Sequence, residues 1–190
     1  MSHFSTYIER NRAFAATGAQ RDVPEIPFVP FKQTFVITCL DPRVEPGAVL
    51  GTGLGEAIVL RNVGGRVTPA VLRDVAWISH LHEVKTPDAD WFDLAVIHHT
   101  DCGSGFFADD DLRRDYVARG GYDDAAVAGL AVLDPARTVR EDVETLRSFP
   151  QLSGRVDVSG HVYDLKTGLL TTVVGQRNRT AAAEVQVTQA

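Results

Sequence analysis

Two short segments concentrate the chemistry this sequence can offer. In Ile97-His98-His99-Thr100-Asp101-Cys102-Gly103, His99 and Cys102 stand three positions apart, so an imidazole and a thiolate can reach one ion from a single turn. The other segment, Cys39-Leu40-Asp41-Pro42-Arg43, adds a cysteine and a carboxylate. Together they provide two sulfurs, one ring nitrogen and a fourth position for either Asp41 or water. Borderline-soft Zn²⁺ favours such a set in tetrahedral geometry, and the pair reads as a zinc site with catalytic potential. Two readings compete: cysteines packed as small hydrophobes while the histidines close a strand, or a disulfide. Cys39 and Cys102 are the only cysteines, and each lies near a carboxylate and a glycine or proline turn, which favours the metal.

Each segment ends an apolar run, and these runs must be held side by side. Thr34 to Cys39 is β-branched and predicts a strand buried on both faces. Ala57 to Arg61 leads into Asn62-Val63-Gly64-Gly65, whose glycines let a backbone pass close to a ligand or another strand. Phe92 to Ile97 ends in the two histidines. Between these runs, Thr68-Pro69 marks a helix start, and Val71, Val75, Ile78 and His82 follow at offsets of four, three and four. The alternation predicts an α/β fold, a mainly parallel central sheet flanked by helices. Ligands in such sheets collect at the carboxyl ends of the strands, where both chemical segments fall.

The remaining stretches frame that sheet. Residues 4 to 17 predict an N-terminal helical arm stopped by Gly18, and the three prolines between Val23 and Pro30 hold the next stretch extended, against the chain's own body or a neighbouring subunit. Ala108 to Arg119 predicts a helix with Leu112 and Tyr116 on one face. Its acids, Asp109, Asp110 and Asp111, sit at the positive end and read as a solvated face, not a second metal site. Ala125 to Leu133 is a small-residue apolar segment. Asp134-Pro135 begins a helix carrying Val139, Val143, Leu146 and Phe149, stopped by Pro150. Val156 to Tyr163 turns through Asp164 to Gly168 into Leu169 to Val174, a late β-hairpin with an arm at the sheet edge. Gln176 to Ala190 reads as a loose helix or a disordered tail.

With 190 residues and 44% hydrophobic content, one domain spanning 1–190 is expected. A net charge of −6, with no basic run interleaved with aromatics, excludes a nucleic-acid partner. No apolar stretch approaches the roughly 20 residues a membrane span requires. The polar start and the metal-ligand character of the cysteines place the chain in a reducing cytoplasm. Gly51-Thr52-Gly53-Leu54-Gly55 precedes a strand and lacks the spacing of a dinucleotide loop. A Gly-x-Ser-x-Gly elbow is absent.

Assembled in order, these segments resemble the β-class carbonic anhydrases. Cys39-Leu40-Asp41-Pro42-Arg43 is similar to their Cys-x-Asp-Ser-Arg motif, Arg61-Asn62-Val63-Gly64-Gly65 to Arg-Asn-x-Gly, and His99-Thr100-Asp101-Cys102-Gly103 to His-x-x-Cys-Gly. Gly160-His161-Val162-Tyr163-Asp164 resembles their late Gly-x-x-Tyr-Asp hairpin. The resemblance implies zinc on Cys39, His99 and Cys102, with Asp41 either a fourth ligand or paired to Arg43. It also implies a dimer or tetramer with an embracing N-terminal segment. The implied reaction is reversible hydration of carbon dioxide to bicarbonate by a metal-bound hydroxide, since the ion lowers the pKa of water toward roughly 7. Asp41 would orient that hydroxide, Arg43 would keep Asp41 off the metal, and Gly103 would let the backbone approach. Hydrolysis of carbonyl sulfide or carbon disulfide is the alternative within this chemistry, and a non-catalytic zinc-binding oligomer the alternative outside it.

Two departures stand out. Pro42 replaces the motif's serine, removing a hydroxyl and an N–H, so the turn's hydrogen bonds must differ. His98 duplicates the imidazole beside the ligand, as a proton shuttle or as a strand-end histidine bonded to a carbonyl, the second being favoured. His80, His82 and His161 read as structural and His3 as exposed.

Overall fold

The computed structural model describes residues 4–23, 25 and 32–177. Most of the proline-rich stretch, His3 and the tail beyond Arg177 lie outside them. Helix α1 (Phe4–Thr17) ends at Gly18, whose φ of 79° is a left-handed stop. A five-stranded sheet then follows, in the order β2-β1-β3-β4-β5. Its strands are β1 (Thr34–Cys39), β2 (Ala57–Asn62), β3 (Asp93–His99), β4 (Asp157–Tyr163) and β5 (Leu170–Arg177). β1 runs parallel to both β2 and β3, and β3 parallel to β4; only β5 is antiparallel. The hairpin therefore joins through β4, and β5 closes the edge with Gln176 and Arg177, residues the sequence assigned to the tail.

β1 lies inside the sheet, and Phe35 through Cys39 are all buried, as its continuous apolar pattern requires. Single-turn α2 (Pro46–Val49) precedes β2, and α3 (Pro69–Lys85) carries the chain from β2 to β3. Thr68 caps α3 by accepting the Val71 N–H, with Pro69 in the first turn. Its inward face is Val71, Val75, Ser79 and His82. After β3 come α4 (Asp110–Gly120), the short α5 (Asp124–Ala128) within the small-residue segment, and α6 (Pro135–Ser148). Asp134 caps α6 through the Arg137 N–H. Val139, Val143 and Leu146 then pack on Leu94, Val96 and Val158 of the sheet. Phe149 ends α6 as its cap and still packs on this core. On α4 nothing is buried: Leu112 and Tyr116 face outward. The Gly51–Gly55 stretch is a loop leading into β2.

Candidate metal centre

Because β1 and β3 are adjacent and parallel, with Thr38 opposite Ile97, their carboxyl ends open on the same edge of the sheet. Cys39 closes β1 and His99 closes β3. The chain then reverses through Thr100 and Asp101, the latter at a φ of 54°, and returns Cys102 toward His99. The two sulfurs are 3.8 Å apart, and the ligand atoms of Cys39, His99 and Cys102 all lie within 4.8 Å of one another. A disulfide needs about 2.05 Å; both cysteines are free. Among the described residues this is the cluster of histidine, cysteine and carboxylate side chains that could hold a metal. The acids of α4 instead pair with Arg113, Arg114 and Arg119.

His99 supplies a decisive detail. Its Nδ1 lies 2.9 Å from the Thr100 carbonyl, which can only accept, so Nδ1 carries the hydrogen and Nε2 presents a lone pair. That Nε2 is buried and, among the described residues, has no hydrogen-bond partner. A buried, orphaned lone pair beside two sulfurs fits a cation, and the Nδ1–carbonyl bond is the usual support for a ligating histidine. The sulfurs differ without an ion. Cys102 beside it, together with burial, pushes the Cys39 thiol up to about 12, whereas Cys39's hydrogen bond, helped by Ser104, pulls Cys102 down to about 6. Burial depresses the His99 imidazole, but Cys39 and the Thr100 carbonyl outweigh it and leave its pKa raised.

Asp41 is turned onto Arg43. Its carboxylate accepts the Arg43 backbone N–H at 2.9 Å, Nε at 3.0 Å and Nη2 at 2.7 Å, and this guanidinium holds the carboxyl down to about 2. Arg43 also donates to the Asp101 carboxylate at 3.0 Å and to its carbonyl at 3.1 Å, tying the two loops together. Pro42 fits here because it opens a 3₁₀ turn (Pro42–Val44), where its missing N–H would have no internal partner. The departure from serine thus leaves the Asp41–Arg43 pair intact. Over Cys102, a cleft of about 450 Å³ is lined by Arg43, Asp101, Gly103, Gly105 and Phe106.

Comparison with known proteins agrees with this geometry. The carbonic anhydrase family profile matches residues 34–119. β-Carbonic anhydrase 1 of Mycobacterium tuberculosis is 30% identical over 148 residues, 78% of this chain and 86% of that relative. The chain belongs to the β-carbonic anhydrase family. Within that family, the crystal structure of the Streptococcus mutans carbonic anhydrase superposes with a TM-score of 0.72 at 30% identity, covering 91% of this chain and 98% of its own. Carbon disulfide hydrolase of Acidianus sp. is 25% identical, covering 72% of this chain and 74% of the relative. This β-carbonic anhydrase family member is accordingly an enzyme of the lyase or hydrolase kind.

Several further residues of this family member support the cluster. Arg61 donates to the Cys39 carbonyl at 3.0 Å and the Asp41 carbonyl at 2.7 Å, and pairs with Glu45. Its visible signal was a cation ending an apolar strand. Gly65, at a φ of 68°, passes so close to β1 that a Cβ would stand 2.8 Å from the Cys39 nitrogen. His98 points away from His99 by strand alternation and is fully buried. Its Nδ1 is 2.7 Å from the Thr138 hydroxyl, and its Nε2 lies 3.3 Å from the Gly65 carbonyl and 3.2 Å from Asp142. These contacts match the reading of a strand-end histidine bonded to a carbonyl. His82 is bonded to Thr86, His161 lies between Ser159 and Thr172, and His80 lies beside Trp77; none of the three belongs to the cluster.

Proposed function

We propose that this protein is a zinc enzyme interconverting carbon dioxide and bicarbonate. The observation that carries this reading is the Asp41–Arg43 pairing beside the Cys39, His99 and Cys102 cluster. With Asp41 engaged by the guanidinium, Cys39, His99 and Cys102 are the protein donors that would hold the ion. Zinc held by them would supply a Lewis acid able to ionise water near neutral pH. The chain's own residues do the rest. Asp41, a carboxylate at any pH above about 2, is an acceptor that orients the attacking oxygen, and Arg43 holds it in that position. Gly103 leaves open space where a side chain would stand, and Phe106 gives the cleft an apolar wall suited to a small linear molecule.

A second reading is hydrolysis of carbonyl sulfide or carbon disulfide, favoured by the similarity to carbon disulfide hydrolase of Acidianus sp.. Carbon dioxide and these sulfides all present a linear electrophilic carbon, so the walls of the cleft would decide the substrate. The test is to assay zinc-loaded protein on carbon dioxide, carbonyl sulfide and carbon disulfide side by side, with hydration expected to dominate. Turnover of a sulfide with negligible hydration would transfer the assignment to the second reading. Negligible turnover of all three would leave a non-catalytic zinc-binding oligomer. The reading includes self-association as a dimer or tetramer, supported by the unburied aromatic face of α1, and a reducing cytoplasmic setting that keeps both thiols available.

A further inference from the structure

Ser104 is 5% exposed and stands two residues beyond Cys102, at the start of a 3₁₀ stretch (Gly103–Ala108). Its Oγ lies 3.2 Å from the Cys102 sulfur and also 3.2 Å from the backbone nitrogen of Val132. The second contact orients the first. Val132 can only donate, so the Ser104 oxygen accepts there, and its own hydrogen is left for the sulfur. Gly64 closes the other side: a Cβ on it would lie 2.9 Å from Ser104 Oγ, so the hydroxyl has little room to turn elsewhere. Among the described residues no hydroxyl is bonded to the Cys39 sulfur; the Asp41 backbone N–H reaches it at 3.4 Å.

We infer that Ser104 is a positioning residue for the metal centre, its hydroxyl donating to the Cys102 thiolate from a fixed Val132–Ser104–Cys102 relay. The inference rests on Cys102 being a metal ligand. A hydrogen bond to a ligating sulfur aims its lone pairs and withdraws charge from it, so this single hydroxyl makes Cys102 the weaker electron donor of the two thiolates. Outer partners of this kind typically contribute about 10–100-fold to metal affinity.

Cobalt(II) reads both effects, because its sulfur-to-metal absorption reports the charge on the thiolates independently of turnover. Parent, Ser104→Ala and Ser104→Thr proteins would be titrated with Co²⁺ against a competing chelator. The alanine variant is expected to bind about tenfold more weakly and to absorb at longer wavelength, since an undressed thiolate gives up its electron more easily. The threonine variant, which keeps the hydroxyl, is expected to return toward the parent spectrum. Should Ser104→Ala fold poorly, Ser104→Val compared with Ser104→Thr isolates the hydroxyl at constant shape. A parent with thiolate bands that Ser104→Ala leaves unchanged in position and affinity overturns the role of Ser104 alone. So does a threonine variant shifted as far as the alanine or valine one. A parent that gives no thiolate band with Co²⁺ overturns the metal centre, and this inference with it.

Discussion

Arg43 divides its guanidinium between two loops, with Nε and Nη2 on Asp41 and Nη1 on Asp101. Arg43→Ala would release Asp41 to close on the metal. The expected outcome is stoichiometric zinc with a kcat/KM about 10²-fold lower, measured by elemental analysis and stopped-flow hydration. Cys102→Ser, by contrast, removes a soft donor, and elemental analysis should find the zinc itself lost. The cluster of Cys39, His99 and Cys102 was readable in the sequence because residue type and local spacing mark all three. Ser104 was not, and Arg61 was visible as part of a motif but not by its partners. Those contacts, at Val132, Cys39 and Asp41, are created only by the folded sheet, and no local pattern announces them.

Among the elements, α6 lays Val139, Val143 and Leu146 into the core. It approaches β4 so closely that a Cβ on Gly160 would stand 2.9 Å from Val143 and 3.2 Å from Val139. Gly160→Ala is therefore expected to lose about 1–3 kcal/mol in urea denaturation through overpacking. α6 also carries Asp142, 3% exposed, which accepts from Arg66 and the Val67 N–H and faces His98, binding the Gly64–Gly65 turn to the sheet. Burial raises the Asp142 carboxyl, but His98 and Arg66 outweigh it and bring it below its ordinary 3.8. Its stabilising contribution is thus complete above pH 3.8 and disappears as pH falls through the lower folded value. Asp142→Asn should lose about 3 kcal/mol at neutral pH, with a shallower acid limb in denaturation curves recorded on metal-free protein. The caps at Thr68 and Asp134 and the periodicity of α3 and α6 were readable from local chemistry. The short α5 was not, since five residues of small side chains carry no helical stripe.

At the scale of the whole molecule, β2 and β5 are the two outer strands of the sheet among the described residues. Val59 of β2 and Leu170 of β5 are exposed, and α1 buries none of its residues although Phe4, Tyr7, Ile8 and Phe14 lie along it. Apolar surface on that scale calls for a partner, and a second copy is the simplest. Sedimentation should find the parent as a dimer or tetramer and a Phe4→Glu, Tyr7→Glu variant as smaller species. A parent sedimenting as a monomer would remove the oligomer from the functional reading. The strand order was only partly readable, because placing β1 between β2 and β3 depends on crossovers that leave no mark on any one strand. That placement has a temporal consequence as well. Cys39 and Cys102 are 63 positions apart, so a growing polypeptide emerges from the ribosome with one half of its ion cage long before the other. During translation the first thiol would be a solitary, oxidisable group, and an ion held by all three donors could enter only after β3 has docked beside β1.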